Sequence, residues 1–178
     1  MLAHPHVMAQ FSTWANERIY VACGQISKDD LEKDRSAFFR SIHGTLNHIL
    51  LVDLLYRERI EEVRTRFKTL DETVHQDLDD LRSAQASSDS WYQELLDGMT
   101  ESQLDEPMGF YTLLDDPEYW EVPRRTYYSN LFQHQVHHRG QIHNMLSQVG
   151  IDPPPIGFIQ YQVELGENVI RRKPGESA

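Results

Sequence analysis

The stretch from Thr126 to Gly150, TYYSNLFQHQVHHRGQIHNMLSQVG, decides the fold. At about 100° per residue, Tyr127, Leu131, His134, His138, Ile142 and Met145 fall on one face, the three-and-four spacing of an amphipathic helix. Thr126 is a capping-type residue after Pro123, and Gly150, which can adopt the left-handed conformation, closes the helix. An apolar stripe interrupted by two imidazoles one turn apart is unusual. The rest of the chain has to supply partners for it.

Upstream, from Thr100 to Arg125, the helical period disappears. Pro107, Gly109, Pro117 and Pro123 intervene, and Met108 to Leu113 and Tyr119 to Val122 can form short extended segments. This is a long crossover, with Tyr111, Tyr119 and Trp120 placed either to line a pocket mouth or to plug one end of the molecule. Before it, apolar residues at helical spacing mark three more helices: about Pro5 to Ile26, about Phe39 to Arg64, and Asp71 to Met99, the last with a candidate break at Ser87-Ser88-Asp89. Downstream, Ile151-Asp152-Pro153-Pro154-Pro155 forces an extended turn, Phe158 to Val163 makes one short helix, and Gly166 to Ala178 reads as a tail. The expected class is all-α: an antiparallel four-helix bundle with a long crossover before the last main helix.

A chain of 178 residues fits one domain with its own core. Its formal net charge of −11 repels a phosphate backbone, and the basic residues between Arg57 and Lys68 alternate with Glu58, Glu61 and Glu62. With the short Arg171-Arg172-Lys173 run they read as solvated surface, so no nucleic-acid partner is expected. No apolar run approaches membrane-spanning length, and the amino terminus lacks a basic segment followed by an apolar one. The single cysteine, Cys23, excludes an intramolecular disulfide and sits in an apolar sequence as a small core residue. These features point to a cytoplasmic protein with no membrane partner.

His134 and His138 share a face, whereas His137 and His143 point elsewhere. Burying two unpartnered imidazoles is costly, and a divalent ion offsets that cost, since neutral imidazole binds zinc, nickel, copper or iron. His48, in Leu46-Asn47-His48-Ile49-Leu50, is the best third ligand. His43 lies about 140° around the same helix, and His75, among Gln76, Asp77 and Asp79, reads as solvated. Taken alone, His48 is more simply a hydrogen-bonded core histidine, and a His-x-x-x-His pair also occurs on wet helix faces, so spacing leaves both readings open. The Glu-x-x-His pairs of di-iron bundles, the His-Glu-x-x-His of zinc proteases, phosphate-binding glycine loops and the nucleophile elbow are all missing from the expected places. Gly140 offers a close approach to a neighbouring helix, Arg139 an ion pair or a packing contact, and Gln141 and Asn47 are candidates for supporting the imidazoles.

The segment Asn130-Leu131-Phe132-Gln133-His134-Gln135-Val136-His137-His138-Arg139-Gly140-Gln141-Ile142 resembles the DinB/YfiT-like metalloenzymes. So do Leu46 to Asp53 around His48 and Gly150 to Pro154 after the last helix. The resemblance covers roughly Leu2 to Leu165, giving a domain over residues 1–165 and a tail over 166–178. It implies a bundle in which His48, His134 and His138 hold one divalent metal ion, zinc or nickel before iron or copper. It also implies a homodimer, and a low-molecular-weight thiol with an electrophilic small-molecule substrate as partners, because similar proteins include thiol-dependent S-transferases and an isomerase. Many relatives carry a tryptophan near the position occupied here by Asp53-Leu54-Leu55-Tyr56, a departure that bears on pocket shape.

Three protein ligands leave an open coordination position, the arrangement of a catalytic metal site. The leading expectation is a metal-dependent enzyme, with thiol transfer or isomerisation first by family analogy and hydrolysis chemically open. The alternatives are a noncatalytic metal-binding or stress-response protein, and a helical scaffold whose histidines are satisfied by hydrogen bonds. No catalytic residue is identifiable beyond a metal-bound species. Tyr127, on the His134 face, is a weak candidate for proton transfer or substrate contact.

Overall fold

A computed structural model describes residues 4–166. The chain is mostly helical: α1 Pro5–Cys23, α2 Lys28–Glu32, α3 Ile42–Ile60, α4 Leu78–Leu96, α5 Glu101–Asp105, α6 Arg124–Gln148 and α7 Phe158–Leu165, with one antiparallel hairpin of β1 Pro107–Tyr111 and β2 Tyr119–Pro123 between α5 and α6. The helix α1 packs on α4 and α6, and α3 packs on the same two. None of the described helices is long and apolar enough to cross a membrane. The Arg171-Arg172-Lys173 run and the tail beyond Gly166 lie outside the described residues.

Local chemistry sets the boundaries. The Ser41 hydroxyl accepts from Gly44 N–H to start α3, and the Asp77 carboxylate accepts from Asp79 and Asp80 N–H to start α4. Gly150 takes the left-handed conformation at φ 78°, as its place after the last long helix predicts. The opening of α6 differs from expectation: Pro123 occupies the cap position without a side-chain cap bond, and Thr126 lies inside the first turn. The expected helix from Asp71 begins only at Leu78. Residues 61–77 form an irregular connector, in which the Asn47 side chain accepts from Val74 and His75 N–H and donates to the His75 carbonyl. Ser87-Ser88-Asp89 does not break α4.

The helix continues through Asp89 because that carboxylate belongs to a buried polar layer shared by all four long helices. Asn16 donates to Asp89 at 3.0 Å, Gln85 bridges Asp53 and Asp89 at 2.7 and 3.0 Å, and Gln135 donates to Asp53 at 2.7 Å. Arg139, 1% exposed, donates to the carbonyl oxygens of Asn16 and Gln135 at 2.9 and 3.0 Å, so its charge reaches the carboxylates through two oriented amides. Burial, followed by the Asp89 charge, raises Asp53 to about 7, and burial raises Asp89 to about 6. Burial lowers Arg139 to about 10, still charged at neutral pH. Apolar clusters lie around this layer. One joins Leu51, Leu55, Tyr92, Leu96, Tyr127 and Leu131; another joins Ile19, Leu46, Leu50, Leu81, Ile142 and Leu146. Each buried leucine or isoleucine contributes about 1.5–3 kcal/mol. Cys23 belongs to the second cluster, its thiol pushed up to about 12 by burial, which makes it core rather than nucleophile.

Candidate metal centre

His48 lies near the middle of α3, and His134 and His138 are one turn apart on α6. The two helices run antiparallel, as the contacts of His48 with His134 and of Tyr56 with Asn130 show. The three imidazoles converge. One ligand atom from each lies within 4.8 Å of the others, and His48 Nε2 is 2.8 Å from His134 Nε2. Tetrahedral ligands at about 2.0–2.1 Å from zinc stand roughly 3.3 Å apart, so the observed separations bracket that spacing.

The surroundings orient the rings. His48 Nδ1 is 2.7 Å from the Leu70 carbonyl, an acceptor, so this nitrogen carries the proton and Nε2 keeps its lone pair. His138 Nδ1 is 2.9 Å from Gln141 Oε1, with the same consequence, while the Gln141 amide nitrogen approaches His137 at 3.0 Å. His134 Nδ1 is buried without a partner. Burial lowers His48 to about 4, and burial followed by its His138 and His48 neighbours lowers His134 to about 3. His138 is lowered as well, again chiefly by burial. All three are therefore neutral at pH 7, the form in which imidazole ligates. Three neutral rings, with the His48 and His138 protons held by outer partners, fit a divalent ion.

A loop supplies the remaining wall. The Phe39 ring stacks on His48 at 3.7 Å between centroids and 17° between planes, and meets His138 edge-on. That approach requires Gly44, since a Cβ there would stand 2.2 Å from the Phe39 carbonyl oxygen. Ser36 and Arg40 of the same loop take positive φ, an unfavourable backbone for residues with a Cβ. Neither Phe39 nor the Leu70 carbonyl was legible as part of the site. No spacing rule links a loop residue or a main-chain oxygen to a histidine on another element.

The other candidates separate. Gln141 supports His138 as expected, whereas the Asn47 side chain hydrogen-bonds to His43, Val74 and His75 instead and ties down the connector that brings Leu70 to His48. Gly140 is not a packing site, because an added Cβ would meet nothing within 4 Å. His43 is buried against the Gln76 carbonyl, His75 is half-buried, and His137 is exposed. Tyr127 is buried against Tyr56 and Phe110, its hydroxyl raised by burial, which suits a core residue and not a proton donor near neutrality.

Beside the trio is a cavity of about 320 Å³, bounded by α3, the hairpin with its connecting loop, and Asn130 and His134 of α6. Trp120 lines it, while Tyr111 and Tyr119 are exposed and pack on each other. A second cavity of about 370 Å³, lined from α1 and the Asp152–Pro154 turn, includes none of the histidines.

A family model described as the DinB family matches residues 1–168. The crystal structure of a DinB-like protein from Bacillus cereus ATCC 10987 is similar at 16% identity and a TM-score of 0.60, covering 83% of this chain and 94% of that one. At that identity the likeness concerns the fold alone. Among curated proteins none matches. A family match over nearly the whole chain, on a helical framework shared with a DinB-like structure, shows that the chain belongs to the DinB family.

Proposed function

We propose that this DinB family chain is a metal-dependent enzyme. In this reading residues 1–165 form a four-helix bundle domain of α1, α3, α4 and α6. His48, His134 and His138 hold one divalent ion, zinc or nickel before iron or copper, at its wall. The observation that carries the reading is the convergence of three neutral imidazoles, two of which have their second nitrogens committed to Leu70 and Gln141. An ion so held would supply Lewis acidity toward a water, a thiol or a carbonyl. The protein's own contribution is orientation and exclusion of water. Phe39 shields one side of His48, and His134 borders the cavity through which a small molecule would reach the centre. Thiol transfer or isomerisation, with a low-molecular-weight thiol and an electrophilic substrate, rests on family analogy, as does a homodimer.

The test is elemental analysis of protein purified without a histidine tag, together with His48→Ala and His134→Ala. Near-stoichiometric metal in the parent and its loss in both variants supports the centre and justifies a screen of thiols with electrophiles. A parent that holds no metal and cannot be loaded refutes it. A loaded protein that turns over nothing in that screen, and whose metal spectrum ignores added thiol, would instead be a noncatalytic metal-binding protein.

A further inference from the structure

The lining of the 320 Å³ cavity contains no carboxylate and one permanent cation, Arg59. Apart from Thr112, Asn130 and His134, the rest of the lining is apolar or aromatic, notably Leu55, Leu113, Phe110 and Trp120. The acidic residues nearest to Arg59 in sequence are engaged elsewhere: Glu58 pairs with Arg66 and Glu61 with Arg57. Among the described residues Arg59 has no carboxylate partner, although the chain carries eleven more acidic than basic charges. Its guanidinium lies over the Phe110 ring at 4.7 Å and near the Tyr56 ring at 5.8 Å, and one nitrogen donates to the Tyr111 carbonyl at 2.8 Å. That bond, with the Tyr127 hydroxyl also beside the guanidinium, fixes the group at the cavity and still leaves N–H donors for a ligand. The Tyr56 hydroxyl accepts from the Asn130 amide at 2.6 Å, so its own proton is also available to an acceptor in the cavity.

We propose that this cavity binds a small organic anion, a carboxylate on an apolar or aromatic body. The carboxylate pairs with Arg59, and the body lies against Phe110 and Trp120 and reaches toward His134. Three features select this chemistry. An arginine set between aromatic rings, half-buried and without a carboxylate partner, gains most from a planar, singly charged acceptor that it can grip with two donors. An organic cation is repelled, and a neutral body leaves the guanidinium unpaired. The distance suits a bifunctional ligand: Val52 and Arg59 both line the cavity seven residues apart on α3, about 10 Å along its axis, with His134 also in the lining. The proposal rests on the metal-centre reading for what happens to the ligand, and on Arg59 and the cavity alone for its binding.

The test is calorimetric titration of the full chain with 4-phenylbutanoate and with the neutral 4-phenylbutanamide. The parent should bind the carboxylate at least roughly tenfold more tightly, the scale of one charge-assisted pair. Arg59→Met should bring the two ligands to within about twofold of each other, Arg59→Lys should keep part of the preference, and Arg57→Met, whose arginine pairs with Glu61, should keep all of it. Unchanged thermal unfolding confirms that each variant is folded. Equal affinities in the parent, no binding of the carboxylate at millimolar concentration, or an undiminished preference in Arg59→Met overturns the proposal. Repeating the titration on chelator-treated parent and on His48→Ala, whose residue does not line the cavity, separates the two readings. Discrimination that persists without metal supports the anion site even if the metal centre fails. Its absence from a metal-loaded parent removes the anion site alone.

Discussion

Arg139→Met is the sharpest test of how the four long helices are held in register. The arginine is fully enclosed and donates to Asn16 Oδ1 and Gln135 Oε1, with a weaker contact to Ser12 at 3.4 Å. Methionine approximates the stem but removes the charge. Two buried amide oxygens lose their donor, each at about 1–3 kcal/mol, and two buried carboxylates lose the only cation that faces them in this layer. Relief from burying the guanidinium offsets part of this. The net expectation is a destabilisation of about 3–5 kcal/mol, the range for breaking one side of a buried charge cluster. That is a large share of the 5–15 kcal/mol typical of a domain and corresponds to roughly 10 °C in Tm. Urea unfolding followed by circular dichroism measures it. Adding Asp53→Asn should recover about 1–2 kcal/mol, because Gln135 can then turn its free oxygen toward the new amide. A loss below about 1 kcal/mol in the single variant, or no recovery in the double, would refute an electrostatic role for the layer.

Three further outcomes follow from the same geometry. Asp53 ionises near 4 in an unfolded chain but at about 7 here, so the folded state holds the extra proton and stability falls as pH rises from about 4 to about 7. His48 and His134, lowered on folding, pull the other way as pH falls below about 6.5, so the readout is the difference between variant and parent. In denaturant titrations Asp53→Asn should gain on the parent progressively across that window, and a constant difference would contradict the shift. Gly140→Ala should raise stability by about 0.5–1 kcal/mol, since the position is helical and open, and a destabilised variant would mean that a neighbour is closer than the structure shows. Asn47→Ala should leave Val74 and His75 N–H without their acceptor, increase hydrogen exchange across residues 63–77, and weaken metal retention about 10-fold or more by freeing the Leu70 carbonyl from His48. Unchanged exchange in that segment would show that the connector is held by other means.

The helical faces were legible because a helix is a local structure. Leu131, Ile142 and Met145 repeat at its period, Gly150 stops it, and His134 and His138 must share a face wherever α6 lies. The apolar setting of His48 likewise marked it as inward. Asp71 to Gln76 is not helical as expected, because Val74 mimics helical spacing while the Val74 and His75 N–H groups are satisfied by Asn47, 27 and 28 residues back in the chain. The close approach expected at Gly140 belongs to Gly44.

What the sequence by itself determined is the mostly helical class, the family and that His134 and His138 share one helical face. Only the tertiary structure decided that Phe39 caps His48, that a main-chain oxygen of Leu70 sets its tautomer, that Arg139 reaches Asp53 and Asp89 through two amides, and that Arg59, without a carboxylate partner among the described residues, lines the same cavity as His134. Each of these is a contact between elements far apart in the chain. Periodicity fixes which side of a helix a residue occupies, but the partner it meets depends on how the helices and loops pack together.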